Sequence, residues 1–352
     1  MSIFSQQKQF FGLDLSGTSV KVVELKQGPS KPQLLAYGGM TLPAGSMQSD
    51  SSVDRQNVAN AVKQVVKKAK IQSTQAVMAL PGASVFTSII KMPNMPKNEL
   101  ADSIKWQAKQ YVPTSLDEVI LDWHIISEPT KKEAEADAKS EIEVMLIAAP
   151  ISLVNKYVGL CHDAGFKPLA LEIEPLALAR SVVGVKDDPV IVLDMGQAST
   201  EISIVQQGVV RLNRNTTAGG GALTRAISQS LGIDANRAEQ FKRDFGLDPN
   251  KLEGQIPNAV KPVLDTLNTE IRRSLDFYRD QPGTNADINL MVAVGGTARM
   301  PEFLPMLSST FGVEAKIGDP WANVNYSQSL KDQLQEIAPS FSVTVGLAMR
   351  EI

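Results

Sequence analysis

Two aspartates stand at the ends of apolar runs, and each is followed by a turn of glycine and hydroxyl residues. The first run is Phe10-Phe-Gly-Leu-Asp14-Leu-Ser16-Gly17-Thr18-Ser19-Val-Lys21; the second is Val190-Ile-Val-Leu-Asp194-Met-Gly196-Gln-Ala-Ser199-Thr200. Such a pair suits a nucleotide polyphosphate. Glycine lets backbone N–H groups come close to a phosphate, and successive N–H groups in a tight turn form a concavity for anions. Ser16, Thr18, Ser199 and Thr200 add hydroxyl donors. Bare phosphate would repel the aspartates, so a cation belongs between them. Mg²⁺ takes one or two carboxylates plus phosphate oxygens and keeps several waters. Asp14 and Asp194 are therefore its expected outer-shell partners, and Lys21 is expected to neutralise a phosphate oxygen. A single Asp-Gly turn is usually only a turn; its repetition on matching strands carries the reading.

Two further clusters fit the same chemistry. Leu290-Met-Val-Ala-Val-Gly295-Gly296-Thr297-Ala-Arg-Met-Pro301 reads as an apolar strand, a double glycine and a helix with proline near its first turn. Glycines at a strand's C-terminal end leave a flat backbone surface for a nucleoside, although the same loop alone reads equally well as a plain connection. Gly219-Gly220-Gly221 is followed by Ala238-Glu239-Gln-Phe-Lys242, with Glu239 and Lys242 three apart on one helix face. That cluster is expected to grip ribose hydroxyls and the edge of adenine.

These side chains need a scaffold. Phe10–Leu25 reads as a hairpin with its turn at Asp14–Ser19, and Gln33–Gly39 as a third strand. Val58, Ala61, Val62, Val65, Val66 and Ala69 recur at helical spacing over Asp54–Lys70, and Ala76–Leu80 is a short strand stopped by Pro81-Gly82. From Ser84 to Ile173 the order is that of a β-α-β-β-α-β module. Its strands are Phe86–Met92, Val119–Ser127, Ile142–Ala149 and Lys167–Ile173, and its helices are Lys97–Tyr111 and Ile151–Ala164. The Ala/Lys/Glu-rich stretch Thr130–Glu141 reads as a solvated hairpin connection. The first pattern then restarts at Pro189. A long helix spans Pro257–Tyr278, a strand Ile288–Val294, and a closing helix Ser342–Arg350.

Composition removes several classes of function. The chain has 352 residues, 35 Lys+Arg against 38 Asp+Glu, 43% hydrophobic and 21% charged residues. That is a globular balance, long enough for two or three domains. The net charge of −3 offers no basic excess for nucleic acid. One cysteine, Cys161, and two histidines leave no disulfide framework and no dedicated zinc set, which fits a reducing compartment. No apolar run spans a bilayer, and the N-terminus lacks the apolar core of a signal peptide.

In this order the pieces resemble the actin/Hsp70/sugar-kinase ATPase superfamily. Within it they look most like the PilM family of actin-like type IV pilus assembly proteins. The resemblance rests on Phe11-Gly-Leu-Asp14, Met78-Ala-Leu-Pro81-Gly82, Tyr111-Val-Pro113 and Glu172-Ile-Glu174-Pro175-Leu-Ala-Leu-Ala-Arg180. Ala238-Glu239 with Lys242 and Val343-Thr-Val-Gly346-Leu-Ala348-Met-Arg350 continue it. It implies an α/β, two-lobed actin-like (ribonuclease H-like) fold. The first lobe would be 1–83 with 174–186, the second 187–352, and 84–173 an inserted subdomain of the kind FtsA and PilM carry. ATP with Mg²⁺ would lie in the cleft, with Asp14, Ser16, Gly17, Thr18, Ser19 and Lys21 as first phosphate loop. Asp194, Gly196, Ser199 and Thr200 would be the second, beside Gly219, Gly220 and Gly221. Glu239 and Lys242 would contact the nucleoside, and Gly295, Gly296 and Arg299 would line its base.

The resemblance also implies a partner, the short cytoplasmic N-terminal segment of a PilN-like bitopic membrane protein, together with other pilus-assembly proteins. FtsA-like chains end in an amphipathic membrane helix, whereas this sequence stops at Arg350-Glu-Ile, so a cytoplasmic protein held peripherally at the inner membrane through partners is expected. Hydrolysis is left open: Glu174 corresponds to the region where hydrolysing relatives position a water, and a structural role suits it equally. A small-molecule kinase of the same superfamily is the alternative, with an FtsA-like division protein as a third reading. A dinucleotide fingerprint and a Walker motif are both absent, and Cys161-His162 point about 100° apart on a helix, which does not suit a thiol enzyme. Trp106, Trp123 and Tyr111 read as core or groove wall.

Overall fold

The repeated acidic turn belongs to a repeated sheet. Strands β1 (Phe11–Ser16), β2 (Ser19–Lys26), β3 (Gln33–Thr41), β4 (Gln75–Leu80) and β8 (Lys167–Ile173) form one sheet in the order β3-β2-β1-β4-β8. Strands β9 (Val190–Met195), β10 (Thr200–Gln206), β11 (Val209–Thr216), β12 (Leu290–Val294) and β13 (Glu314–Ile317) form a second, in the order β11-β10-β9-β12-β13. The plan is the same twice. A central strand has an antiparallel hairpin on one side and a parallel strand on the other. A strand buried on both faces reads as a near-continuous apolar run, and Asp14 and Asp194 interrupt those runs near their carboxyl ends. Ligands of open α/β sheets bind at that end.

These strands come from a computed structural model that describes residues 9–28, 30–43, 45–127, 141–281 and 287–351, with only the backbone of Lys97 and Asn98. The connection read at 130–141 lies outside the described residues except for Glu141.

Helices follow from caps and apolar stripes. Helix α1 (Ser52–Ala69) starts where the Ser51 side chain accepts the Asp54 N–H at 3.1 Å, and ends at Lys70 in a left-handed conformation. Val58, Ala61, Val62, Val65 and Val66 form its buried stripe. In the second half, helix α7 (Gln255–Arg279) buries Ile256, Val260, Leu264, Leu267, Ile271, Leu275 and Tyr278 at three- and four-residue steps. They pack against Ile191, Leu193, Ile202 and Ile204 of the second sheet. The closing helix α9 (Lys331–Ala348) is longer than the sequence suggested and contains Pro339. It crosses helix α4 (Glu174–Leu178), whose next turn, Ala179–Val183, is π-helical. Gly346 makes the crossing possible, because its missing side chain leaves room for the Ala177 carbonyl. Arg180, tied to Gly346 O and Glu172, and Arg350, 3.1 Å from Glu172, fasten the same junction.

Contacts divide the chain into Met1–Ala79 with Leu160–Ile352, and Leu80–Gly159. The second unit holds β5 (Phe86–Pro93), α2 (Lys97–Tyr111), β6 (Val119–Ser127) and β7 (Glu141–Pro150), its sheet ordered β5-β7-β6. Leu100, Ile104 and Ala108 of α2 cover Ile90, Met92, Val144 and Leu146. Helix α3 (Ile151–Asp163) follows. The strand expected to complete a six-element module, β8, lies instead beside β4 in the first sheet. Lys167 donates its N–H to Thr74 O at 3.0 Å, and Phe166 meets Phe11 edge-on at 5.3 Å. Those anchors are invisible to an order of elements.

Candidate functional site

The two acidic turns come together. Asp14 faces Lys21 across the β1–β2 hairpin, with Nζ 3.1 Å from Oδ2, and is 4% exposed. The Asp194 carboxyl is pushed up to about 6 by burial and by the Asp14 charge, against the opposing pull of Lys21. Glu201, paired with Asp194 across β9–β10, is 5% exposed. Its Oε1 accepts from Asn213 at 2.9 Å, and its Oε2 has no hydrogen-bond partner among the described residues. Burial pushes the Glu201 carboxyl up to about 8; the amides of Asn213 and Asn215 oppose that shift and the Asp194 charge adds to it.

Asp14 and Asp194 thus share one ammonium, and the Glu201 carboxyl is buried beside Asp194. That imbalance is the condition a cation relieves, so the residues present fit Mg²⁺ held beside a polyphosphate. Among the described residues no group of three or more His, Cys, Asp or Glu is gathered closely enough to hold a metal directly. Contact from Asp14 and Asp194, direct or through water, would be completed by phosphate oxygens.

The turns are built differently from each other. In the first, the Ser16 hydroxyl meets the Ser19 hydroxyl at 2.9 Å, Thr18 O accepts from Leu42 N at 2.7 Å, and the Gln48 amide lies over Gly17. In the second, the three glycines pack onto the turn itself. Gly220 and Gly221 donate to Gly196 O and Gln197 O at 2.9 and 2.8 Å, and Gly219 to Thr217 O at 2.9 Å. A side chain at Gly219 would come within 2.7 Å of Ser199 N. These glycines hold the Gly196–Ser199 turn against the start of helix α5 (Gly220–Leu231), and their N–H groups are spent there. Thr200 also departs from the expectation of a hydroxyl facing a ligand: it is fully buried and donates to Ala218 O at 2.6 Å. The strand pleat decides this, since Thr200 is already the first residue of β10.

Glu239 and Lys242, on helix α6 (Ala235–Asp244), pair with each other at 2.6 Å. Lys242 is buried and also donates to Thr224 Oγ1 at 3.0 Å and Gly220 O at 3.2 Å; burial holds its pKa below the usual lysine range. Burial alone would raise the Glu239 carboxyl, but hydrogen bonds from Lys242, Thr224 and Arg243 together hold it below the usual range. The pair therefore braces the triple glycine, with Glu239 at its partly exposed edge.

Gly295 has φ +85°, and a side chain there would come within 2.6 Å of Asp194 Oδ1. Gly296 faces open space. Gly295 donates to Pro339 O at 2.9 Å, and the Arg299 guanidinium donates to Gln335 O. Proline lacks the N–H that Gln335 O would otherwise receive, so Arg299 satisfies a carbonyl that Pro339 leaves open. Its expected place beside a base is not where the side chain's hydrogen bond goes.

Sequence reasoning missed Gln48, Gln197, Glu201 and Asn213. Glu201 carried a usable signal, a carboxylate at the start of the buried stretch Glu201-Ile-Ser-Ile-Val205. In the Leu80–Gly159 unit, Trp106 and Tyr111 are exposed by 64% and 45%, which removes the core reading for both; Trp123 packs onto that unit's core.

Comparison with known proteins follows this geometry. The family model described as type IV pilus assembly protein PilM matches residues 12–352. Among solved structures, a PilM–PilN type IV pilus biogenesis complex is 28% identical with a TM-score of 0.83, covering 98% of this chain and 99% of that one. MreB5 of Spiroplasma citri, bound to AMPPNP, shares the fold at 14% identity and a TM-score of 0.54, covering 97% of this chain and 95% of its own. The cell division protein FtsA of Enterococcus faecalis is 23% identical over 88% of this chain and 78% of its own length. The fold is the two-lobed actin-like one that the sequence led us to expect.

Proposed function

The chain belongs to the family of type IV pilus assembly protein PilM, and from that premise we propose a nucleotide-binding scaffold that grips a membrane-anchored partner. The observation that supports this most is the likeness, at 28% identity over 98% of the chain, to a protein solved as a PilM–PilN complex. The partner is then a PilN-like bitopic protein, held by its short cytoplasmic N-terminal segment. No helix among the described residues is long and apolar enough to cross a membrane; in this reading the membrane is reached through the partner. Family membership does not favour the kinase or division-protein readings.

ATP with Mg²⁺ is the proposed ligand between the two sheets, with residues 1–83 and 174–186 as one lobe, 187–352 as the other and 84–173 inserted. The cation would neutralise phosphate charge beside Asp14 and Asp194, and Lys21 would exchange part of its pairing with Asp14 for a phosphate oxygen. Ser16, Gly17, Thr18 and Ser19 on one side and Gly196 and Ser199 on the other would frame the phosphates. Gly296 would leave room for the base, and Glu239 would reach the ribose. Thr200, Lys242, Arg299 and the triple glycine would hold those groups in place. Two carboxyl groups beside one lysine, with a third buried next to Asp194, support this reading.

The test uses the full chain and solubilised inner membranes, with and without Mg·ATP. Capture of a single-span protein with a short cytoplasmic tail, competed by the synthetic tail peptide, is the expected outcome. Recovery of no membrane protein, or capture indifferent to the peptide, would overturn the scaffold reading. Calorimetry with Mg·ATP tests the nucleotide separately.

A further inference from the structure

We propose that the outer edge of β3 is a second docking site, one that takes an extended acidic segment of a partner protein as an added strand. Ser19 and Lys21, proposed above for the phosphates, lie at the inner end of this site, but the docking depends on neither the nucleotide nor the PilN-like reading. β3 pairs with β2 on one side only. On its other side the described residues cover just the start of the strand. Gln33 bridges to Asn325 in parallel, Leu34 donates to Asn325 O at 2.9 Å, and Asn325 donates to Pro32 O at 2.8 Å. Thus the protein itself begins a sixth strand there and abandons it as the chain turns toward α9.

Native sheets blunt exposed edges with charges, prolines, bulges or cover; past the bulge at Leu35 the edge carries no charge and no proline. The nine residues of β3, Gln-Leu-Leu-Ala-Tyr-Gly-Gly-Met-Thr, include no charge and no proline. A bulge at Leu35 interrupts the pairing and leaves that side chain 52% exposed. Leu42 donates to Thr18 O, and antiparallel alternation from that pair turns the N–H and C=O groups of Tyr37, Gly39 and Thr41 outward.

A cavity of about 690 Å³ follows this edge. Its walls are the end of α1, through Lys68 and Ala69, and α9, through Gln333, Ile337 and Phe341, with Leu330 just before it. Side chains of an added strand would alternate between those two walls. That arrangement is β-augmentation: main-chain bonds give affinity and alternate pockets give specificity. Charge selects the occupant. Lys21 and Lys68 line the cavity and no carboxylate does. Lys21 is engaged by Asp14, whereas Lys68 is exposed on the last turn of α1 beside Lys67. An acidic side chain on the α1-facing side of the strand complements Lys68.

The experiment measures fluorescence anisotropy of a labelled hexapeptide alternating valine and glutamate, added to the full chain. Binding should fall at least tenfold when the peptide's alternate amides are N-methylated, which removes strand pairing without touching the protein. It should also fall at least tenfold in Lys68→Glu, and in 0.5 M salt. Gly39→Pro should abolish it, because proline on an edge strand deletes an outward N–H while leaving the sheet intact. Equal binding of the N-methylated peptide would overturn the proposal, as would a lysine-for-glutamate peptide binding as well as the acidic one. Concentration-dependent dimerisation lost in Gly39→Pro, without peptide binding, would assign the edge to a second copy of the chain instead.

Discussion

The charge on Asp14 raises the proton affinity of Asp194, although the two carboxylates end the central strands of different sheets. Lys21 answers only part of that charge. A divalent cation is the simplest species that satisfies both. Asp194→Asn should therefore weaken Mg·ATP binding by roughly 10–100-fold, the usual loss for an outer-shell partner of a metal. Metal-free ATP should bind that variant no worse than it binds the parent. Calorimetry with and without Mg²⁺ reads both; an unchanged Mg²⁺-dependent affinity would remove Asp194 from the site.

Neighbouring glycines should behave in opposite ways. Gly295→Ala forces a side chain into a left-handed backbone and to within 2.6 Å of Asp194 Oδ1. It should cost about 1–3 kcal/mol from the backbone alone, visible as a lowered midpoint in denaturant. Gly296→Val meets nothing within 4 Å. Its stability should match the parent while nucleotide binding falls, and normal binding would place the base elsewhere.

Lys242 and Glu239 stand or fall as a pair. Lys242→Met leaves the partly buried Glu239 carboxylate with only the exposed Arg243 as its cation and should cost about 2 kcal/mol, below the loss for a fully buried pair. Adding Glu239→Gln should recover part of it. A double-mutant cycle in urea measures the coupling; additive losses would show that the lysine acts mainly through Gly220 O and Thr224.

Trp106 is exposed on α2, so Trp106→Ala should change stability by no more than about 0.5 kcal/mol. As an aromatic anchor for a partner peptide it should carry about 2 kcal/mol of binding, or roughly thirtyfold. Titration of the PilN-like tail peptide against both proteins decides it.

Burial pushes the Cys161 thiol up to about 11, from an ordinary value near 9.0. The native state therefore keeps its proton while the unfolded chain releases one, so stability is full below about pH 9 and declines as pH rises toward 11. Native protein should resist a disulfide reagent at pH 8 and react on unfolding. Cys161→Ala should flatten the alkaline slope in thermal melts; a slope equal to the parent's would assign it to other groups.

Much of this protein was written in local pattern. Two Asp-Gly turns at the ends of apolar runs marked the repeated sheet, because a central strand tolerates a carboxylate only at its functional end. The stripe of α1 and the long periodicity of α7 fixed those helices, since a single apolar face needs only 3.6-residue spacing to be read. Other features depended on partners distant in the chain. β8 joined the first sheet through Thr74 and Phe11, which no order of elements encodes. The closing helix is legible only from Ser342, yet it runs from Lys331 through Pro339, where Arg299 takes the carbonyl that proline leaves open. Glycines 219–221 read as part of a cluster gripping ribose and adenine; that their N–H groups hold the Gly196–Ser199 turn is not legible in sequence, since N–H direction is set by three-dimensional packing. Residue types and spacing determined which chemistry the chain can host; the meeting of two sheets decided which side chains are left to perform it, because burial and charge are properties of neighbours and not of sequence order.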